Sequence, residues 1–148
     1  MQYAMSIEYA IHGLVYLAED TSGSFILLSD IARVARVPRE YMRKVFQLLS
    51  KARIVTAQRG TGGGYRLARR ASEITLKDVV DTVEGSLPLY NCLRTRRDCG
   101  LSECCPVKEV FDEASRKMSE VLQSTTILDI HRKIAGQGEV RSWLKVTA

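Results

Sequence analysis

Four cysteines crowd into one stretch of the chain: Cys92, Cys99, Cys104 and Cys105. Thiolates are soft ligands and good nucleophiles, so a group of four can hold zinc, hold an iron–sulfur cluster, or exchange a disulfide. Zinc knuckles favour pairs about two to four residues apart. The C-x6-C-x5-C spacing of Cys92, Cys99 and Cys105 is poor for that. Irregular spacing on a loop suits thiolate ligation of a cluster. A thiol–disulfide switch with Cys99 or Cys104 as resolving partner stays open beside it. The opening MQYAMSIEYAIHG has no basic region, and Glu8 and His12 interrupt its apolar stretch. It therefore reads as a first helix and not as a secretion signal. The expected location is a reducing cytoplasm, where structural disulfides are rare.

The second chemistry is electrostatic. Net charge over the 148 residues is +5, but from Arg33 to Arg70 there are eleven Lys/Arg against the single acid Glu40. That segment carries +10, and the rest of the chain carries −5. Such asymmetry marks a surface that meets phosphates. No nucleophile–base pattern, nucleotide loop or second cofactor motif accompanies it, so an enzyme or electron carrier is not expected.

Several elements must position these groups. Ile7, Ala10, Ile11, Leu14, Val15 and Ala18 recur at helical spacing over about 6–19. Ser29 is a candidate N-cap for a short helix containing Ile31, Ala32 and Ala35. Arg36-Val37-Pro38 is a turn, with Pro38 suited to the first position of the next helix. That helix runs to about Lys51, with Met42, Val45, Leu49 and Ala52 inward and Phe46 and Leu48 flanking. Arg39, Arg43, Lys44 and Gln47 then face out, as a recognition helix requires. Residues 54–58 read as a strand, RGTGGG as a glycine-rich tip and 65–68 as a returning strand. This hairpin is a DNA-contacting wing with Arg59 at its tip. A nucleotide phosphate loop is disfavoured, because no Gly-Lys-Ser/Thr follows and the segment leads into a strand.

Thr75-x-x-Asp78 is a capping box for a short helix ended at Gly85. Residues 86–105 are irregular and hold all four cysteines. Pro106 opens a long amphipathic helix to about Gln123. Its apolar stripe is Val107, Val110, Phe111, Ala114, Met118, Val121 and Leu122, and a last short helix begins at Thr126. The fold class is mainly α: a winged helix-turn-helix with a two-stranded wing hairpin and a long C-terminal dimerisation helix. The chain divides into 1–85 (DNA binding), 86–105 (cysteine loop) and 106–148 (dimerisation helix and C-terminal segment).

LSDIARVARVPREYMRKVFQLLSKARIVTAQRGTGGGYRLAR resembles the winged-helix core of the IscR/NsrR group of iron–sulfur transcription regulators. The RGTGGGYRLA wing followed by EITLKDVVDTVEG is its most specific feature. The resemblance implies a homodimer of crossing long helices that binds double-stranded operator DNA, with a cluster near the dimer interface. The DNA-contacting candidates are Ser29, Arg39, Glu40, Tyr41, Arg43, Lys44, Gln47, Arg59, Gly60 and Tyr65. Arg43 stands where IscR has a base-reading glutamate, so operator preference does not carry over.

The metal-ligand candidates implied are Glu8, His12, Cys92, Cys99 and Cys105. IscR places a histidine ligand three residues after its last cysteine, and this chain has Lys108 there. NsrR-like relatives use a carboxylate at the position of Glu8, and IEYAIHG is similar to the glutamate–histidine pattern of RsrR-like members. Glu8 and His12 lie one helical turn apart and can reach one metal. The expected cofactor is a 2Fe–2S cluster, with 4Fe–4S as the lesser alternative. The implied function is a repressor that senses redox state, nitric oxide or cluster status. A cluster-free regulator with a disulfide or zinc switch is the other reading.

Overall fold

The computed structural model describes residues 5–85 and 105–136. Cys92, Cys99 and Cys104, with the rest of the expected cysteine loop and the segment after 136, lie outside the described residues.

Helix α1 spans Met5–Glu19 and buries Ile7, Ala10, Gly13, Leu14, Val15 and Leu17. The helix-turn-helix follows as α2 (Leu28–Val34) and α3 (Arg39–Lys51). The turn between them holds Arg36 at φ 55°, a left-handed conformation that costs a residue with a Cβ about 1 kcal/mol. Ser29 is not the N-cap of α2. The helix begins one residue before it, because Leu28 is drawn into the core, and Leu27 occupies the cap with no side-chain bond. Pro38 caps α3 and does not sit inside it.

Phe46 is a centre of the core and not a flank: it is fully buried with Met42 and Leu49. Gly13 makes this possible, since a Cβ there would stand 2.7 Å from the Phe46 ring. Ala52, expected inward, is exposed. The helix has ended at Lys51, and Arg53 turns the chain away at φ 57°.

Strands β1 (Val55–Gln58) and β2 (Gly64–Leu67) pair antiparallel, Val55 opposite Leu67 and Gln58 opposite Gly64. Ile26 adds an isolated antiparallel bridge to β2: its N–H donates to Tyr65 O at 2.9 Å, and Tyr65 N–H returns the bond at 2.8 Å. A Cβ on Gly64 would stand 2.2 Å from Ile26 O, so that close approach requires glycine. A 3-10 turn over Ala71–Glu73 leads to α4, Leu76–Glu84. The Thr75–Asp78 capping box is formed: Asp78 N–H donates to Thr75 Oγ1 at 3.1 Å, and Thr75 N–H donates to the Asp78 carboxylate at 3.1 Å.

Helix α5 runs Pro106–Ser124 and buries none of its residues, and α6 covers Ile127–Gly136. The join between them is stitched to the winged unit. Leu76 N–H donates to Thr125 O and Ile127 N–H to Ile74 O, both at 2.9 Å. Ile127 is fully buried, so the start of α6 shares the core of the winged unit. Among the described residues, no helix is long and apolar enough to cross a membrane.

Candidate DNA-reading face and ligand groove

The burial of Met42, Val45, Phe46 and Leu49 turns the opposite face of α3 outward. Arg39, Glu40, Tyr41, Arg43, Lys44 and Gln47 are all exposed there, and Ser29 is exposed near the start of α2. Arg43 meets Glu40 at 3.3 Å, with both side chains well exposed. A surface pair of this kind is worth ~1 kcal/mol or less, so it does not hold Arg43 back from another acceptor. Tyr41 is tied more firmly: its hydroxyl donates to Ser6 Oγ at 3.2 Å.

At the wing tip, Gly60 and Gly62 take φ 93° and 77°, and Gly63 N–H closes the turn on Gly60 O at 2.9 Å. Arg59 and Gly60 are exposed at that tip. Tyr65 anchors the wing instead of projecting from it. Its ring meets Phe46 edge-on, centroids 5.0 Å apart. The basic segment is not uniformly available. Arg66 stacks over Phe25 at 4.7 Å and donates to Gly23 O, Arg33 pairs with Asp30 at 2.9 Å, and Arg69 approaches Asp78 at 3.6 Å. Charge counting alone could not have separated these arginines from Arg59.

On another side of the molecule, Glu8 and His12 line one groove of about 370 Å³. Its apolar walls are Met5, Ile7 and Ile11 of α1, Leu76 and Val80 of α4, and Leu122 of α5. The helical spacing of the two polar residues brings them into the same space, and that donor pair fits a metal in chemistry. Cys105 is half-buried at the N-cap of α5 and is not among the groove's lining residues. No three potential metal donors meet among the described residues. The further ligands of any metal at Glu8 and His12 must therefore come from beyond those residues or from a second chain. Lys108 is occupied otherwise. It hydrogen-bonds Asp112, which raises its pKa and keeps it a cation.

The contribution of Leu122 to the groove was not anticipated, because its spacing assigned it to the stripe of α5. The Ser6–Tyr41 contact was also missed, since it joins residues 35 positions apart.

The model of the Rrf2 family, described as an iron-dependent transcriptional regulator, matches residues 4–133. The chain belongs to the Rrf2 family. Solved structures share the fold. CymR, the global cysteine regulator of B. subtilis, is 22% identical with a TM-score of 0.74, over 90% of this chain and 98% of that one. T. potens IscR is 25% identical with a TM-score of 0.71, over 90% and 88%. The oxidized form of Staphylococcus aureus CymR is 23% identical with a TM-score of 0.70, over 88% and 96%. As an Rrf2 protein the chain is a DNA-binding transcription regulator and not an enzyme. Its winged helix, wing hairpin and long C-terminal helix are the architecture expected from the sequence.

Proposed function

We propose that this Rrf2 regulator is a homodimer whose grip on operator DNA depends on a 2Fe–2S cluster shared between subunits. The observation that carries the reading is the convergence of Glu8 and His12 on one groove, in a chain that also holds four cysteines. Cys92, Cys99 and Cys105 of one chain form the pool of thiolate ligands. Glu8 and His12 of the other supply a carboxylate oxygen and an imidazole nitrogen. When bound, the cluster supplies a redox-active centre whose mixed ligand set raises its potential above that of an all-cysteine one.

The residues themselves do two things. Glu8 and His12 hold their donors on one face of α1, so occupancy of the groove fixes α1 against whatever chain brings the thiolates. The apolar face of α5 supports the dimer. Val110 is 68% exposed and Val121 64%, and the two lie on one side of the helix. Ion pairs join Arg116 to Glu113 and Glu120, and Lys108 to Asp112, around the rest of the helix, and Lys117 meets Glu113 at 3.3 Å at the margin of the Val110 side. An exposed apolar stripe of this length calls for a partner surface. Paired α5 helices would set two recognition helices about 34 Å apart, one turn of B-DNA. Dimer geometry and operator affinity are then linked, and redox state or nitric oxide is the signal that fits. Repression is the expected output.

The DNA half of the reading rests on α3 and the wing. Arg43, Lys44 and Gln47 face the major groove, with Ser29, Arg39, Glu40 and Tyr41 around them. Arg59 and Gly60 reach phosphates or the minor groove, and Tyr65 fixes the wing from behind. Arg59→Ala should weaken binding to any duplex and reduce the slope of log K against log salt by about 0.9, one phosphate contact. Fluorescence anisotropy titrations over a range of salt concentrations measure this. An unchanged slope would remove Arg59 from the interface.

A further inference from the structure

We propose that Tyr41 is a positioning residue that ties the recognition helix to α1, so that the placement of α1 sets operator affinity. The proposal rests on the reading of α3 as the DNA-reading helix and of α1 as the ligand-bearing one. It adds the physical link between them.

Three contacts converge on this link. The Tyr41 hydroxyl donates to Ser6 Oγ at 3.2 Å. The Tyr41 ring meets Tyr9 edge-on, with centroids 5.6 Å apart and planes at 89°. Ser6 Oγ in turn donates to Glu84 Oε1 at 3.5 Å, which carries the chain of contacts to the end of α4. Edge-to-face geometry at this distance is the favoured arrangement for two aromatic rings.

The placement of these residues on the helices gives the contact its meaning. Ser6 and Tyr9 are nearly one turn apart on α1, and so are Glu8 and His12. The two pairs are offset by roughly a third of a turn at 100° per residue. One side of α1 therefore faces the groove and a neighbouring side touches α3. A rotation or shift of α1 that follows from a change at Glu8 and His12 must move Ser6 and Tyr9 as well, because a helix moves as a rigid unit. Tyr41 receives that movement in the first turn of α3, beside Glu40 and Arg43.

Tyr41 has no share in the core. It is 40% exposed, and α3 is held in the fold by Met42, Val45, Phe46 and Leu49. Removing its hydroxyl should therefore spare the fold, and a change in DNA binding would report on position and not on unfolding.

The test is a double-mutant cycle on the full chain with its metal state held fixed. The probe is a duplex selected by the parent protein from a random-sequence library. Tyr41→Phe keeps the ring and loses the hydroxyl, Ser6→Ala removes the acceptor, and Ser6→Thr restores it. Each of the first two should weaken binding roughly two- to tenfold, the worth of one hydrogen bond. The double variant should bind no more weakly than the weaker single one, and Ser6→Thr should bind like the parent. Thermal midpoints should stay together across the set. Parent-like binding by Ser6→Ala would overturn the proposal, because Tyr41 would then act on DNA alone. Losses that multiply in the double variant would overturn it too. Since the cycle compares variants in one metal state, a failure of the cluster reading does not alter its outcome.

Discussion

Val110→Glu is expected to turn a dimer into a monomer and to lower affinity for a two-half-site operator by about 10²- to 10⁴-fold. Val110 is among the most exposed large apolar residues described, at 68%. A carboxylate there costs the isolated chain almost nothing. In a paired α5 interface it would face the partner's apolar stripe and could not stay charged without a large desolvation penalty. The size of the affinity loss follows from effective concentration. Two linked reading heads gain that factor over one head, and a monomer forfeits it. Sedimentation at micromolar concentration gives the oligomeric state, and anisotropy gives the affinity. A Val110→Glu protein that stays dimeric with parental affinity would place the dimer contact elsewhere.

Much of this architecture is written in local sequence rules. Thr75 and Asp78 announce a helix start, and their side chains make the reciprocal bonds that the spacing requires. The wing glycines announce a tight tip, and Gly60 and Gly62 adopt the positive φ values that only glycine takes without strain. The periodicity of α5 gathers its apolar residues into one stripe, and Val110 and Val121 on that stripe are exposed.

What escaped local rules was decided by packing between distant segments. By helical spacing Phe46 falls on a flank, since its burial depends on a missing side chain at Gly13, 33 positions away. Ala52 continued a helical period past the point where α3 stops. Ser29 lost the cap because burying Leu28 moved the helix start back. The groove was half legible. Glu8 and His12 converge by helical spacing alone, but Val80 of α4 and Leu122 of α5 reach them only through the tertiary fold. The basic segment was the least resolved, because a count of charges cannot tell Arg59 at an exposed tip from Arg66 stacked over Phe25.

His12→Ala should abolish or convert the visible spectrum of protein purified without oxygen, while the dimer and the fold persist. Glu8→Ala should behave similarly. Both side chains line the rim of a groove whose walls remain in place, and the core residues Leu14, Phe46 and Leu49 do not depend on them. Loss of a supporting or direct metal partner lowers metal affinity by about 10- to 100-fold at the least. Cys104→Ser is the control. Side chains of adjacent residues tend to point apart, so one of the two cysteines is expected to be spared, and Cys105 is the one placed at the N-cap of α5, just before Pro106. Its spectrum should match the parent's. Bleaching by Cys104→Ser together with an intact spectrum in His12→Ala would overturn this ligand set while leaving the cluster itself standing.

The central claim is that this Rrf2 protein binds DNA under the control of an iron–sulfur cluster. Iron and acid-labile sulfide, assayed on anaerobically purified protein together with its visible absorption and its operator affinity before and after cluster removal, test it directly. The account predicts a coloured protein with about two irons and two sulfides per chain. It also predicts an operator affinity that changes when they are removed. A colourless protein without sulfide, binding its operator equally well before and after chelation, would contradict it.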